Sequence, residues 1–375
     1  MKHGPPDPDL APIFVIGTGR SGTTLMRNML CRHPRIHIAH EPWLYSVHGA
    51  LGQMRGSTYI SVERFVRHYA RSLSFAFLGI DEAEMRQAVG DARSRADVFR
   101  AILRVTAQRH GKTRYGDKTP DNSRFLAEIF DDFPDARVVH MVRDPVDMVA
   151  SWSRMPWGGT SHWLNSWLCN TRMKEVAPYR GRICEVLLEE LLDRPEETMR
   201  RVLDFVGEAW AEIVLDPQAN PDDLPGFPWF EKAGGRIQGE TDPGQERRGA
   251  RQLGKTWTRK VERMNSYSLR RYYRGTRYYT LPLDSRKGFA ARLSTLAYYP
   301  AILLCALVDI QRCLLTLLRL YRYARQYSRE KVPPLEKQFD VFNINARRWR
   351  GYPGGFRRFQ QEQVARLESR RPSDA

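Results

Sequence analysis

Two short stretches of the chain carry residue types that could hold phosphate, and a third carries an acid, an imidazole and an amine that could move a proton or absorb charge. The first is Gly17-Thr-Gly-Arg-Ser-Gly-Thr-Thr24. Glycines let the backbone approach an anion closely, and the N–H groups at a helix start point at it along a favourable dipole. Gly19, Ser21, Gly22, Thr23 and Thr24 are therefore candidate phosphate ligands, with Arg20 as the cation inside the loop. The spacing is that of G-x-x-x-x-G-K-[ST], but Thr23 occupies the lysine position. A loop lacking the lysine and magnesium apparatus implies a phosphate donor that needs no metal, and it argues against a kinase-like phosphotransferase. The second stretch runs from Val138 to Ser151. Arg143 closes an apolar strand and Ser151 follows about two helical turns later, so both can converge on one phosphate. The third comprises His40-Glu41 and Lys118. Strand alternation sends His40 and Glu41 to opposite faces, so one of them faces the donor.

The elements that must place these residues are legible from periodicity. Pro12–Gly17 is a short β-branched apolar run, and Leu25–Leu30 has helical spacing, giving strand, loop and helix in that order. Further strands are expected at 35–39, within 112–120, at 137–142 and at 183–188, with helices over 123–130, from Pro145 through Ser151, and over 195–205. Apolar positions at Phe65, Tyr69, Leu73 and Phe77 make 57–110 helical, an insertion rather than sheet. Alternating strands and helices predict an α/β fold of the P-loop type: a mostly parallel sheet flanked by helices. This domain takes residues 1–280, and 281–375 form a basic, partly apolar helical C-terminal extension. Residues 218–250 read as an irregular connection, and Thr258–Tyr279 as a Tyr/Arg-rich helical segment.

The two phosphate stretches, in this order and about 120 residues apart, resemble the sulfotransferase superfamily, whose members use 3′-phosphoadenosine 5′-phosphosulfate (PAPS). The first is similar to its 5′-phosphosulfate loop, the second to its 3′-phosphate motif of strand, Arg and Ser. The likeness spans about residues 12–260 and points to the bacterial and Golgi-type branch that includes carbohydrate and tyrosyl-protein sulfotransferases. It implies sulfuryl transfer from PAPS to an acceptor hydroxyl or amine, with a carbohydrate or glycolipid as the favoured acceptor. His40-Glu41-Pro42-Trp43 is similar to the version with a glutamate base after the second strand, so the resemblance assigns the base to Glu41. It assigns Lys118 and Arg20 to the leaving phosphate and the phosphosulfate. Arg251 and Lys255, in Arg251-Gln-Leu-Gly-Lys-Thr-Trp257, are similar to a late loop over the 3′-phosphate. One departure is plain. Relatives carry Tyr-Glu-Asp-Leu where this chain has Leu188-Glu-Glu-Leu191, so the aromatic contact to adenine is missing there. Trp152, Trp157, Trp163 and Trp167 suit sugar or lipid-like acceptors, with two or three of them equally suited to the core.

Composition narrows the remaining classes. The 375 residues carry a net charge of +17, yet residues 1–241 are nearly neutral and the excess lies beyond them. That block fits a polyanionic ligand or an anionic membrane surface touched peripherally by residues 289–375. No recognised nucleic-acid motif accompanies it, so a non-catalytic nucleic-acid or lipid-binding protein is the weaker alternative. Residues 293–308 are uncharged but too short for a span, which needs about 20 apolar residues. Extended to 318 the stretch includes Asp309 and Arg312, and it fits a buried helix, a homodimer contact, an interfacial helix or, least well, a membrane anchor. Five cysteines without a C-x-x-C pair argue against zinc or a disulfide framework. With no apolar leader before the first strand, a cytoplasmic location is expected.

Overall fold

The computed structural model describes residues 11–45, 62–155, 161–219, 248–279 and 355–368. Five parallel strands form its sheet: β1 (Ile13–Gly17), β2 (Ile36–His40), β3 (Arg114–Lys118), β4 (Arg137–Val142) and β5 (Ile183–Leu187). Their order is β2-β3-β1-β4-β5, which places β1 at the centre. The chain builds outward to one side of β1 with β2 and β3, then crosses to the other side with β4. Ligands of open parallel sheets bind outside the strand C-termini where that reversal occurs. The loop after β1 is at this point, with Glu41, Lys118 and Arg143 at the ends of the strands on either side.

Alternation along β1 divides the core in two. Ile13 and Val15 pack with helix α1 (Thr23–Arg32) and with the later helix Pro195–Val206, whereas Phe14 and Ile16 pack under the helical insertion. The insertion consists of α2 (Val62–Tyr69), α3 (Leu73–Ala76), α4 (Glu82–Val89) and α5 (Arg95–Arg109). Asp81 and Ser94 start α4 and α5 with full capping boxes, which satisfy the first amides of each helix. The expected helicity of 57–110 is thus found from residue 62 onward, in four pieces; 57–61 lie outside the described residues.

After β3 comes a 3-10 turn (Pro120–Arg124), then α6 (Leu126–Asp132). Helices α7 (Pro145–Trp152), α8 (His162–Val176), α9 (Leu188–Asp193) and α10 (Pro195–Val206) complete the domain. The Tyr/Arg-rich segment differs from the expectation at both ends. Helix α11 already begins at Arg248 and runs to Met264, with a break at Gly254, and helical structure ends at Tyr273. Its docking explains the early start: the Gly249 amide donates to Asp147 Oδ1 at 2.6 Å, and a Cβ at Gly249 would strike Val146 O. Of the C-terminal extension, only α12 (Gly355–Glu368) is described, and the apolar stretch 293–318 lies outside the described residues. Among the described residues no helix is long and apolar enough to cross a membrane.

Candidate active site

The loop after β1 is shaped by positions that exclude side chains. A Cβ on Gly17 would meet Met141 O at 2.7 Å, and one on Gly22 would meet Leu188 Cδ1 at 2.7 Å. Gly22 also has φ 97, the left-handed geometry in which glycine costs least, and from it α1 begins without any side-chain cap. The first amides of α1 are consequently left for a ligand. Thr18 Oγ1 and Ser21 Oγ are buried and have no hydrogen-bond partner among the described residues. Buried hydroxyls without partners cost free energy, and they are understandable where an oxyanion belongs.

The second phosphate stretch meets the first directly. Arg20 Nε donates to Ser151 Oγ at 3.2 Å, and Arg143 Nη1 donates to Arg20 O at 3.0 Å. Residues 131 and 123 positions apart in sequence are thereby joined in one cradle. Asp144 fixes the elbow that aims Arg143. Its carboxylate accepts from the Val146 and Asp147 amides, with Pro145 at the first helical position. Beneath the elbow, Glu189 accepts from the Asp144 amide at 2.9 Å and from the Tyr273 hydroxyl at 3.0 Å. Burial pushes the Glu189 carboxyl up to about 7. Arg20 is the electrostatic centre of the cradle: burial, then the charges of Arg143 and Arg154, lower its pKa to about 10, while Glu41 pulls the other way. Arg154 is a residue that the strand-Arg-Ser pattern does not reveal. It lies one turn beyond Ser151 and becomes relevant only because α7 turns it back toward Arg20.

On the other side of β1, Lys118 Nζ donates to Glu41 Oε1 at 2.8 Å and to Thr24 Oγ1 at 3.4 Å. Lys118 is fully buried and is no solvated strand-end lysine; burial lowers its pKa, Glu41 raising it in return. The expected separation of His40 and Glu41 onto opposite faces is not found. β2 ends at His40, Glu41 turns to φ 49, and Glu41 Oε1 comes within 4.0 Å of His40 Nε2. Trp43 is left-handed too, at φ 52. Such conformations cost a non-glycine residue about 1–3 kcal/mol each and persist where their surroundings hold them. His40 is buried, and burial followed by Lys118 and Arg27 pushes its pKa well below the usual imidazole range. Arg27 itself is an interior guanidinium, and its Nε donates to Ile38 O at 2.7 Å, tying α1 to the end of β2.

Helix α11 is docked on α7, but Arg251 and Lys255 on it are exposed. Its link to the cradle is made instead by Arg154, whose guanidinium donates to Gln252. Leu188, where relatives carry an aromatic, packs over Gly22, while Tyr273 and Tyr278 arrive from beyond α11 to bond Glu189 and Asp193. Of the tryptophans, Trp163 and Trp167 are each 48% exposed and Trp152 is half-buried, so none of these three belongs to the core; Trp157 lies outside the described residues.

The profile of the sulfotransferase family matches residues 12–212, more than half of the chain. The chain belongs to the sulfotransferase family. It is 28% identical over 217 residues to protein-tyrosine sulfotransferase 2 of Gallus gallus, covering 54% of this chain and 53% of that one. It is 29% identical over 243 residues to the nodulation protein NoeE of Sinorhizobium fredii, covering 55% and 53%. The chain thus spans about half the length of these curated relatives. A solved sulfotransferase domain, from the olefin synthase of Synechococcus PCC 7002, shares the fold with a TM-score of 0.50 at 20% identity, covering 75% of this chain and 98% of that one. The matched region contains both phosphate stretches, Glu41 and Lys118, and ends before α11. Among the described residues no group of three or more His, Cys, Asp or Glu side chains is arranged to hold a metal ion.

Proposed function

We propose that this chain transfers the sulfuryl group of PAPS to an acceptor hydroxyl. The observation that carries the reading is the joining of the two phosphate stretches through Arg20, Ser151 and Arg143. A donor with phosphate at both its 3′ and 5′ positions is the ligand such a two-ended cradle would fit. The α1 amides and the hydroxyls of Ser21, Thr23 and Thr24 receive the 5′-phosphosulfate, with Gly19 and Gly22 allowing the backbone to approach. Arg143 and Ser151 take the 3′-phosphate, and Arg251 and Lys255, carried by a helix docked on α7, close over it.

Sulfuryl transfer breaks the bond between sulfur and the bridging oxygen of the donor and forms one to the acceptor oxygen. The acceptor proton must leave, and charge grows on the departing phosphate. Glu41 takes the proton. It is 23% exposed, so an acceptor can reach it, whereas His40 is 1% exposed and resists protonation. Lys118 and Arg20 stabilise the charge on the leaving 3′,5′-bisphosphate. Lys118 donates to Glu41, so the two are held within one hydrogen bond of each other, placed for base and electrophile roles.

The acceptor class follows from weaker indications. Exposed Trp163 and Trp167, one helical turn apart on α8, suit a sugar face or a lipid-linked carbohydrate. The test is incubation of purified protein with sulfur-labelled PAPS, a tyrosyl peptide, an oligosaccharide and a fractionated cell extract, followed by mass analysis. Label in an acceptor, with one adenosine 3′,5′-bisphosphate released per transfer, supports the reading. Phosphate transfer from ATP in place of sulfate would overturn it in favour of a kinase.

A further inference from the structure

The turn that carries Glu41 is held in an unfavourable backbone conformation by a residue outside the donor cradle. Glu41 and Trp43 are both left-handed, at φ 49 and φ 52, with Pro42 between them. Neither is a glycine, so the turn needs external support. Two supports come from the end of β3: the Glu41 amide donates to Lys118 O at 2.9 Å, and the Trp43 amide donates to Thr119 Oγ1 at 3.3 Å. Pro42 has no N–H to donate, and its carbonyl accepts from the Tyr69 hydroxyl at 2.8 Å. That carbonyl belongs to the peptide plane joining Pro42 to Trp43. Fixing it prevents the plane from rotating and so maintains the left-handed state of Trp43.

Tyr69 is the last residue of α2, in the helical insertion, and is fully buried. Its ring stacks on Phe65 at 5.2 Å and meets Phe75 edge-on at 5.7 Å, so packing alone fixes the ring. The hydroxyl is therefore aimed at Pro42 without being needed to place the ring. Burial pushes the Tyr69 hydroxyl well above its ordinary range, so it stays a donor.

We infer that Tyr69 is a positioning residue for transfer: its hydroxyl clamps the Glu41-Pro42-Trp43 turn and so keeps the Glu41 carboxylate against Lys118. This rests on the reading of Glu41 as base. It also makes the insertion, which stands apart from the nucleotide cradle, a direct determinant of turnover.

Tyr69→Phe removes the hydroxyl and leaves the ring contacts. Hydrogen exchange followed by mass spectrometry should show faster exchange across residues 41–45 in the variant, with β1 and β4 unchanged. Turnover should fall about 10-fold, as expected for a displaced reacting group, with KM for PAPS within about twofold. Unchanged exchange at 41–45 would overturn the inference, and so would faster exchange with undiminished turnover. Loss of the cooperative unfolding transition would overturn it as well, because the hydroxyl would then be holding the core. Glu41→Gln, assayed in parallel, separates the two levels: if it transfers sulfate normally, the base assignment fails, while the exchange data still report whether Tyr69 holds the turn.

Discussion

The donor cradle and the base turn lie on opposite sides of β1 and are built by different means. The cradle consists of a strand, a glycine-shaped loop in which Arg20 is itself left-handed at φ 73, and a helix start, then a second strand and a capped helix. Its residues lie in or beside these elements, and long-range contacts join them: Arg20 meets Ser151 and Arg143, and Glu189 holds the Asp144 amide. The base turn departs from its strand through two left-handed residues and is held from two places in the chain, by Lys118 and Thr119 at the end of β3 and by Tyr69 on α2. On the proposed reading, donor recognition draws mainly on strand ends and helix starts, whereas the proton-transfer geometry depends on a turn held by tertiary contacts. Mutations on the two sides should separate accordingly into binding defects and turnover defects.

The largest separation is expected from Arg143→Ala. Loss of a guanidinium paired with a desolvated phosphate typically costs about 2–5 kcal/mol of affinity. Calorimetric titration with adenosine 3′,5′-bisphosphate should show that loss, and wild-type affinity would remove Arg143 from the cradle. On the other side, Lys118→Ala should lower turnover by about 10²–10³-fold, the usual cost of one group that stabilises developing charge. Affinity for the bisphosphate should change far less. If binding and turnover fall equally, Lys118 serves the ground state and the contrast between the two sides dissolves.

A smaller effect concerns the carboxyl buried behind each side. Burial pushes Asp117, behind Lys118, and Glu189, behind Arg143, each up to about 7. Glu189 is bonded by the Asp144 amide and Tyr273, while Thr119 and Asn122 approach Asp117 without a hydrogen bond of full geometry to either oxygen. An acid whose folded pKa is raised favours the folded state most below its unfolded pKa, and that contribution is lost as pH rises through about 7. Asp117→Asn removes this titration. Its stability relative to wild type should therefore increase by roughly 2–3 kcal/mol between about pH 5 and pH 8. Chemical denaturation at the two pH values measures it, with Glu189→Gln expected to gain less. A pH-independent difference would mean that Asp117 is ionised throughout.

The same division governs what the sequence discloses. The sheet, the helices near 123–130, 145–151 and 195–205 and both phosphate stretches are legible because apolar period, glycine placement and the Arg–Ser spacing are local signals. Helices α8 and α9 are not among the expected ones. The placement of His40 and Glu41 is misread because strand alternation is extrapolated one residue too far. The alternation ends at His40, and no glycine at 41 or 43 advertises the left-handed turn. Tyr69 reads simply as an apolar helix position. Its hydroxyl gains a role only when α2 packs over Pro42, 27 residues earlier. Arg154 is missed for a similar reason, since its approach to Arg20 depends on how α7 lies against the loop. The tryptophans are open between acceptor contact and core in the sequence, and α8 presents Trp163 and Trp167 to solvent.

The measurement that tests the account most directly is made on Glu41→Gln and wild-type protein side by side, following both bisphosphate affinity and sulfuryl transfer from labelled PAPS. The account predicts equal affinities and a loss of transfer of about 10²–10⁴-fold, the usual cost of removing a general base. Undiminished transfer in the variant would contradict it and leave the proton to another group, with His40→Asn in the same assay showing whether that group is the neighbouring imidazole.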